Sequence, residues 1–554
     1  MLAFAVRTVV PFGPIINSGR DLAYLDEILL APSAAHTHLP SALYYGLRLF
    51  SDPVQALEWA QIVIGSACAG LVALLTFCLY RREAAAMIAG FLGAVFVAAA
   101  RVDASPDAVT SLRFVTLLTA IAVLLYHRVP SWTRLACVGL GAIAMSYGRL
   151  ESPLFAALLL IWLAADEPLR DGVARPGTRW GGWATGGSLL VVAATGMLLS
   201  RWLLVPVLAL AIAWLVRRRG GWPASGRVLL LVATVALALL PRFFEVASLE
   251  RETYSRFPKA LMFLVGRTNL LFHPALCTPL VAILVALGLG AFRRTAPAAS
   301  GYLFSVALPA YAFGLLFMGN ASAIMRLQGN GLFLLFPLAG IGAGRLVEWL
   351  SGHWGTYRRW ALTLAAVTLI SALLPGGRTL TEATSLDQEY AFLRRLNEWV
   401  PPGSDVFLPV SREDCSLVSI PQALARRAGI TPRTIDFPGL SLPVGALVFL
   451  GAGCQRFRNG EPLPGVGLRA GEVAFRGEVD PRPIRFILLA LDREGYVQAT
   501  FDALAVDERP QCRALRLRHG LTPYRVERLR RSSLEGHLMP REVEFGLYRV
   551  TAER

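Results

Sequence analysis

Apolar stretches separated by short polar breaks follow one another along the first two-thirds of the chain. They cover roughly 57–80, 84–100, 108–126, 133–148, 153–165, 185–200, 202–216, 226–241, 277–292, 301–318, 331–349 and 360–376. A helix needs about 17 to 25 such residues to cross a hydrocarbon core, so this pattern predicts about twelve membrane spans, the shorter ones packed within a bundle. Residues 1–16 are also apolar, but short and interrupted by Arg7. They read either as a first helix truncated by a misplaced start or as a short tilted helix within the bundle; no small-residue cleavage pattern follows them.

After about residue 377 the pattern becomes that of a water-soluble domain. Asp387 to Val400 has helical spacing and stops at Pro401-Pro402-Gly403, while Asp405–Val410, Val444–Leu450, Ile484–Leu491 and Phe545–Val550 read as short buried strands. The expected fold is therefore a polytopic α-helical membrane protein of about 12–13 transmembrane helices over 1–376, followed by an extracytoplasmic α/β domain over 377–554.

Composition supports this class: 554 residues, mean hydropathy +0.52, 55% hydrophobic and 17% charged. The net charge of +16 is almost all arginine, Lys259 being the sole lysine, and its short clusters between apolar runs argue against nucleic acid as a partner. Arg81-Arg82, then His127, Arg128 and Arg134, then Arg170, Arg175 and Arg179, then Arg217–Arg219, Arg293-Arg294 and Arg358-Arg359 fall on alternate connections. Cytoplasmic loops carry such an excess, which predicts a multi-pass protein of the inner (plasma) membrane with its C-terminal domain outside. Outside also lie 17–48, 101–107, 149–151, 242–276 and 319–330. Cys415, Cys454 and Cys512 permit one disulfide in the C-terminal domain, and no cysteine–histidine spacing resembles a zinc site.

The outward segments carry the candidate chemistry. Asp21, Asp26, Glu27, His36 and His38 lie in the first, Arg101, Asp103 and Asp107 in the second, Arg149 and Glu151 in the third, and Arg326 precedes the 331–349 span. Carboxylates beside a bilayer are costly unless hydrated, paired or used. Here they can supply a general base or hold a divalent cation, and the arginine forks match a phosphate. Each, taken singly, also fits a solvated loop charge.

The succession of an acidic outer loop, His38-Leu-Pro-Ser-Ala-Leu-Tyr-Tyr45, the Arg81-Arg82 pair, Arg101-Val-Asp-Ala-Ser-Pro-Asp107, Tyr147-Gly-Arg-Leu-Glu-Ser-Pro153, and Arg326 ahead of a span containing Pro337 resembles the GT-C membrane glycosyltransferases. It is most similar to the protein mannosyltransferases and the lipid A aminoarabinose transferase-like enzymes, over roughly residues 15–375. Where the family places an Asp-Glu pair before Ala-Tyr-Tyr, this chain has Asp21-Leu-Ala-Tyr24 and, five residues on, Asp26-Glu27.

The resemblance implies transfer of a sugar from a polyprenyl-phosphate donor to a lipid, glycan or protein acceptor at the outer membrane face. Asp21 is then the leading candidate base, with Asp26 and Glu27 as alternatives, and His38, Arg101, Asp103, Asp107, Arg149, Glu151 and Arg326 are the substrate-binding candidates. A metal requirement stays open. A secondary transporter would more often show repeated halves with ionisable groups at mid-membrane, and the chain has no evident repeat. A non-catalytic envelope assembly protein would use the terminal domain for binding. No glycine-rich phosphate loop follows a strand, so a soluble nucleotide site is not expected.

Overall fold

The computed structural model describes residues 1–14, 18–30, 38–149, 152–165, 279–295, 297–316, 324–353, 380–383, 385–409, 420–435, 441–451, 455–457, 506–508, 510–530 and 544–553, with positions 359, 363 and 366. The predicted spans 185–200, 202–216 and 226–241, most of 360–376, the 242–276 loop and the predicted strand 484–491 lie outside these residues.

The membrane part begins with α1 (Leu2–Thr8), α2 (Ser18–Leu29) and α3 (His38–Leu43), then a 3₁₀ turn over Tyr45–Leu49. The long helix α4 (Pro53–Tyr80) follows. The Asp52 side chain accepts the Gln55 N–H at 3.1 Å and Pro53 opens the first turn, both favourable at a helix start. Its 28 residues give a length of ~42 Å, ample for a bilayer core. By contrast α1, with seven residues, reaches only ~10 Å and does not span.

The predicted 84–100 span is a bent pair, α5 (Glu83–Val95) and α6 (Val97–Asp103), meeting at 58° where Phe96 leaves the helix with ψ 111°. The 101–107 segment, expected as a loop, therefore begins as the last turn of α6. After α7 (Ala108–Arg128), α8 (Trp132–Ser146) and α9 (Ser152–Ala165) come α10 (Pro279–Thr295), α11 (Pro297–Tyr302) and α12 (Leu308–Leu316), with a π turn at Leu303–Ala307. A second π turn, Ile324–Gln328, leads into α13 (Gly329–His353). Among the described residues, three helices are each long and apolar enough to cross a membrane, and the bent pair makes a fourth.

The bundle is centred on α13. Gly340 and Gly344 on one face let α5 approach closely, and Gly342 on the opposite face does the same for α10, where a Cβ would strike the Leu284 carbonyl. Helices in lipid associate through such small residues because no hydrophobic force drives them together.

The C-terminal part contains α14 (Ser385–Arg394), α15 (Leu396–Trp399), α16 (Gln422–Ala428) and α17 (Pro510–Arg518). Its strands are β1 (Asp405–Leu408), β2 (Thr431–Thr434), β3 (Leu447–Leu450), β4 (Gln455–Phe457), β5 (Val506–Glu508), β6 (His519–Arg528) and β7 (Glu544–Glu553). One sheet has the order β2-β1-β3-β7-β6, its first three strands parallel and the rest antiparallel; β4 and β5 form a separate pair. The predicted 387–400 helix is thus two helices broken at Arg395, and β2, β4, β5 and β6 are strands the pattern did not signal.

The two parts share a core. Leu22, Leu25, Ile28 and Leu29 of α2 are buried with Tyr390, Phe392, Leu424 and Phe545 of the C-terminal domain. Around this core, Glu58 of α4 accepts the Tyr390 hydroxyl at 2.8 Å and pairs with Arg394 at 2.8 Å, and Asp52 pairs with Arg427 at 2.9 Å. The C-terminal domain therefore sits at the α2 end of the bundle. The opposite end gathers Arg82, paired with Glu348 at 2.9 Å, along with Arg81, Arg128 and Arg134.

Candidate functional site

The α2 end of the bundle gathers charged groups from three segments distant in sequence, covered by a fourth. Asp107 ends the turn after α6 and caps α7, its Oδ1 accepting the Val109 N–H at 2.8 Å. A carboxylate there offsets the positive helix start. Its other oxygen pairs with Nε of Arg326, supplied by the π turn ahead of α13, and Nη1 of Arg149 lies 4.0 Å from Oδ1. Single-turn π insertions often mark functional positions because they re-aim one side chain. Gln61 of α4 donates to the Asp107 carbonyl at 3.0 Å, fixing the turn. Arg149 is held by its own backbone, whose N–H donates to Ser152 Oγ at 2.9 Å where α9 begins.

The α2 helix covers this cluster. The Arg326 guanidinium lies 5.5 Å from the centre of the buried Tyr24 ring, within cation–π range. Asp21 stands one helical turn ahead of Tyr24, so the two positions share a face of α2. Two guanidiniums, a capping carboxylate and an aromatic ring thus meet where α7, α9 and α13 begin. Guanidinium forks suit a phosphate, two of whose oxygens can accept both arms of one fork as a carboxylate's do.

Other expected site residues are placed elsewhere. Asp103 does not face a loop cavity: its Oδ2 accepts Arg7 Nε at 2.8 Å, and its Oδ1 accepts Arg113 Nη1 at 3.0 Å and the Thr110 hydroxyl at 2.7 Å. All three charges are fully buried, with Arg113 also bonded to Asn330 at 3.1 Å and stacked over Phe333. Arg101, expected as a phosphate contact, instead pairs with Asp387 at 3.1 Å and donates to the Glu382 carbonyl, tying α6 to the C-terminal domain. Asp26, the alternative base, accepts the Gln422 and Ala423 backbone N–H groups at 2.8 Å each and caps α16 from across the domain boundary. Burial raises its carboxyl above the usual range, and the two amide bonds oppose that shift.

Glu27 is half-buried, and its carbonyl accepts the Ser41 hydroxyl at 3.0 Å, joining α2 to α3. His38 opens α3, whose Leu39 N–H bonds to the Tyr147 carbonyl at 3.0 Å, so its backbone lies beside the end of α8. His36 and Glu151 fall outside the described residues. Among the described residues, no group of three or more histidine, cysteine or acidic side chains is placed to share a metal ion.

Three participants were not picked out as site residues from the sequence. Arg7 and Arg113 were visible as charges inside apolar runs, itself a signal of pairing or function. Tyr24 carried no signal beyond its helical spacing from Asp21.

No family model and no curated protein matches the chain. Among solved structures it is similar to the oligosaccharyltransferase AglB of Archaeoglobus fulgidus in complex with an inhibitory peptide and a dolichol-phosphate, with TM-score 0.37, 13% identity, and coverage of 73% of this chain and 57% of that one. It is also similar to the apo form of the Archaeoglobus fulgidus oligosaccharyltransferase, with TM-score 0.36, 13% identity, and coverage of 76% and 57%. A third similar structure is apo ArnT from Cupriavidus metallidurans, with TM-score 0.37, 12% identity, and coverage of 78% and 83%. The chain spans about 57% of the length of the oligosaccharyltransferases. A likeness this distant leaves the chemistry to be argued from the residues.

Proposed function

We propose that the chain is a membrane glycosyltransferase that moves a sugar from a polyprenyl-phosphate donor to a lipid, glycan or protein acceptor at the outer face of the plasma membrane. The observation that carries this reading is the meeting of Arg149 and Arg326 on Asp107 beneath Tyr24. A polyprenyl chain stays in the bilayer and brings its phosphate to the surface level, where these guanidiniums stand. The outer-face placement is supported by the arginine-rich opposite end of the bundle and by Cys512, which is disulfide-bonded to a partner outside the described residues.

In this mechanism the Asp21 carboxylate takes the acceptor's hydroxyl proton, and the acceptor oxygen attacks the anomeric carbon. The bond from that carbon to the phosphate oxygen breaks, and the polyprenyl phosphate leaves with the electron pair. Arg326 and Arg149 stabilise the charge that develops on the leaving phosphate, where positioned donors contribute most. Asp107 keeps both forks oriented until the phosphate shares them.

The test is transfer of labelled sugar from polyprenyl-phosphate donors by the full chain in proteoliposomes. Asp21→Asn keeps size and removes the base, so turnover falls by about 10²-fold while donor binding survives. Arg326→Lys keeps charge but loses the fork, and donor use falls by about 10-fold or more. Full transfer activity in both variants overturns the proposal.

A further inference from the structure

The α2 helix has two commitments on different faces. Tyr24 lies against the Arg326 guanidinium, while Asp26, two residues on, is spent on the first amides of α16 in the C-terminal domain. Residues two apart on a helix point about 200° apart, so the helix bridges the site and the domain and cannot follow one without the other. Between these commitments, Leu22, Leu25, Ile28 and Leu29 lie in the core that α2 shares with Tyr390, Phe392 and Leu424. Apolar burial of that kind holds the helix against the domain but leaves its rotation and slide weakly specified. The paired amide bonds to Asp26 are directional and specify both.

We infer that Asp26 is a positioning residue, through which the C-terminal domain sets the rotation of α2 and so holds Tyr24 and Asp21 over the Arg149–Arg326 cluster. The domain is then a wall of the site rather than an appendage. Other polar ties, Glu58 with Tyr390 and Arg394, Asp52 with Arg427, and Arg101 with Asp387, fix the domain to the rigid bundle. Asp26 alone among these links joins the domain to the helix that carries Asp21. The consequence for turnover rests on the glycosyl-transfer reading above; the consequence for α2 does not.

The bond can be broken from either side. Asp26→Ala removes the acceptor. Gln422→Pro removes one donor without touching α2: proline is accepted at the first position of a helix, and Pro421 already holds the extended conformation, ψ 141°, that a following proline requires. In the full chain in nanodiscs, hydrogen exchange of the α2 amides should quicken by about tenfold in Asp26→Ala and by less in Gln422→Pro, while the amides of α4, α7 and α13 stay protected. Asp26→Asn, which keeps one accepting oxygen, should recover much of the protection. Turnover of labelled donor should fall and recover in the same order.

Unchanged α2 exchange in both Asp26→Ala and Gln422→Pro overturns the inference. So does faster exchange with unchanged kcat, which would mean that the site does not depend on the setting of α2. If the wild-type chain transfers no sugar, the glycosyl-transfer reading fails, and the exchange measurements still decide whether Asp26 sets α2.

Discussion

Asp103 and Asp107 lie four residues apart, and each gathers two arginines, yet the two clusters are built for different work. Asp103 is closed on every side: Arg7 and Arg113 approach at 2.8 and 3.0 Å, Thr110 and Asn330 complete the set, and none of the charges reaches solvent. It joins α1, α6, α7 and α13. Asp107 caps α7, paired with Arg326 and 4.0 Å from Arg149; Asp107 and Arg326 are only 1% and 5% exposed, while Arg149 keeps 12% of its side chain exposed. One cluster is closed on all sides by its own partners, whereas the other leaves Arg149 partly exposed beside a carboxylate that, on the proposed reading, an anion replaces. The chain turn makes the difference, because α6 ends at Asp103 and α7 begins at Ala108, so residues four apart do not share a helix face.

The largest expected effect follows from the closed cluster. Asp103→Asn leaves two buried guanidiniums around a neutral amide, and breaking a buried pair in this way costs about 3–5 kcal/mol. Asp107→Asn keeps a good helix cap and strands one well-buried guanidinium, Arg326, rather than two, so it should cost less, about 3 kcal/mol at most. Thermal unfolding of both variants in one detergent compares them directly. A larger loss in Asp107→Asn would reverse the roles assigned to the two clusters.

The same contrast shows what could be read from the sequence. The spans over 57–80, 84–100, 108–126 and 331–349 were legible because apolar runs of sufficient length admit little else, and Arg81, Arg82, Arg128 and Arg134 do gather at one end of the bundle. The strands β1, β3 and β7 were legible from short apolar runs. In β6, His519–Arg528, the side chains are mostly polar and partly exposed, so an edge strand formed by backbone pairing left no hydrophobic signature. Of the outward residues expected to converge on one cavity, Arg149, Asp107 and Arg326 lie beside one another. Arg101, Asp103 and Asp26 have the same residue types in the same segments, but their partners are Asp387, Arg7 and the α16 amides, which lie up to hundreds of positions away. No local pattern distinguishes a carboxylate reserved for a substrate from one claimed by a distant arginine.

A second prediction sharpens the closed cluster from its outside. Gly65 of α4 faces Asp103, and a Cβ there would fall within the space of its carboxylate. Glycine is required by this close approach, not by backbone conformation. Gly65→Ala should force Asp103 away from Arg7 or Arg113 and cost about 1–3 kcal/mol, the usual range for overpacking a filled core. Unfolding midpoints for Gly65→Ala and for Gly70→Ala, whose added Cβ meets nothing within 4 Å, make the comparison. Equal midpoints would show that the triad has slack and is not the rigid element described here.

The smallest effect should come from the looser arm of the open cluster. Arg149 stands 4.0 Å from Asp107, whereas Arg326 is in direct contact with it and packs over Tyr24. Arg149→Lys preserves the charge and leaves the start of α9 intact, because the bond to Ser152 comes from the backbone N–H. What it removes is the second fork. Stability should therefore stay within about 0.5 kcal/mol of wild type, as for substitutions away from packed features. The donor KM should rise by about two- to fivefold, less than in Arg326→Lys, because a flexible ammonium still supplies a point charge to a phosphate. Donor titrations of the two variants in the same vesicles rank the arms. If Arg149→Lys is the more damaging, the phosphate is centred on Arg149 beside α9, and Arg326 serves chiefly to hold Asp107 and Tyr24 in place.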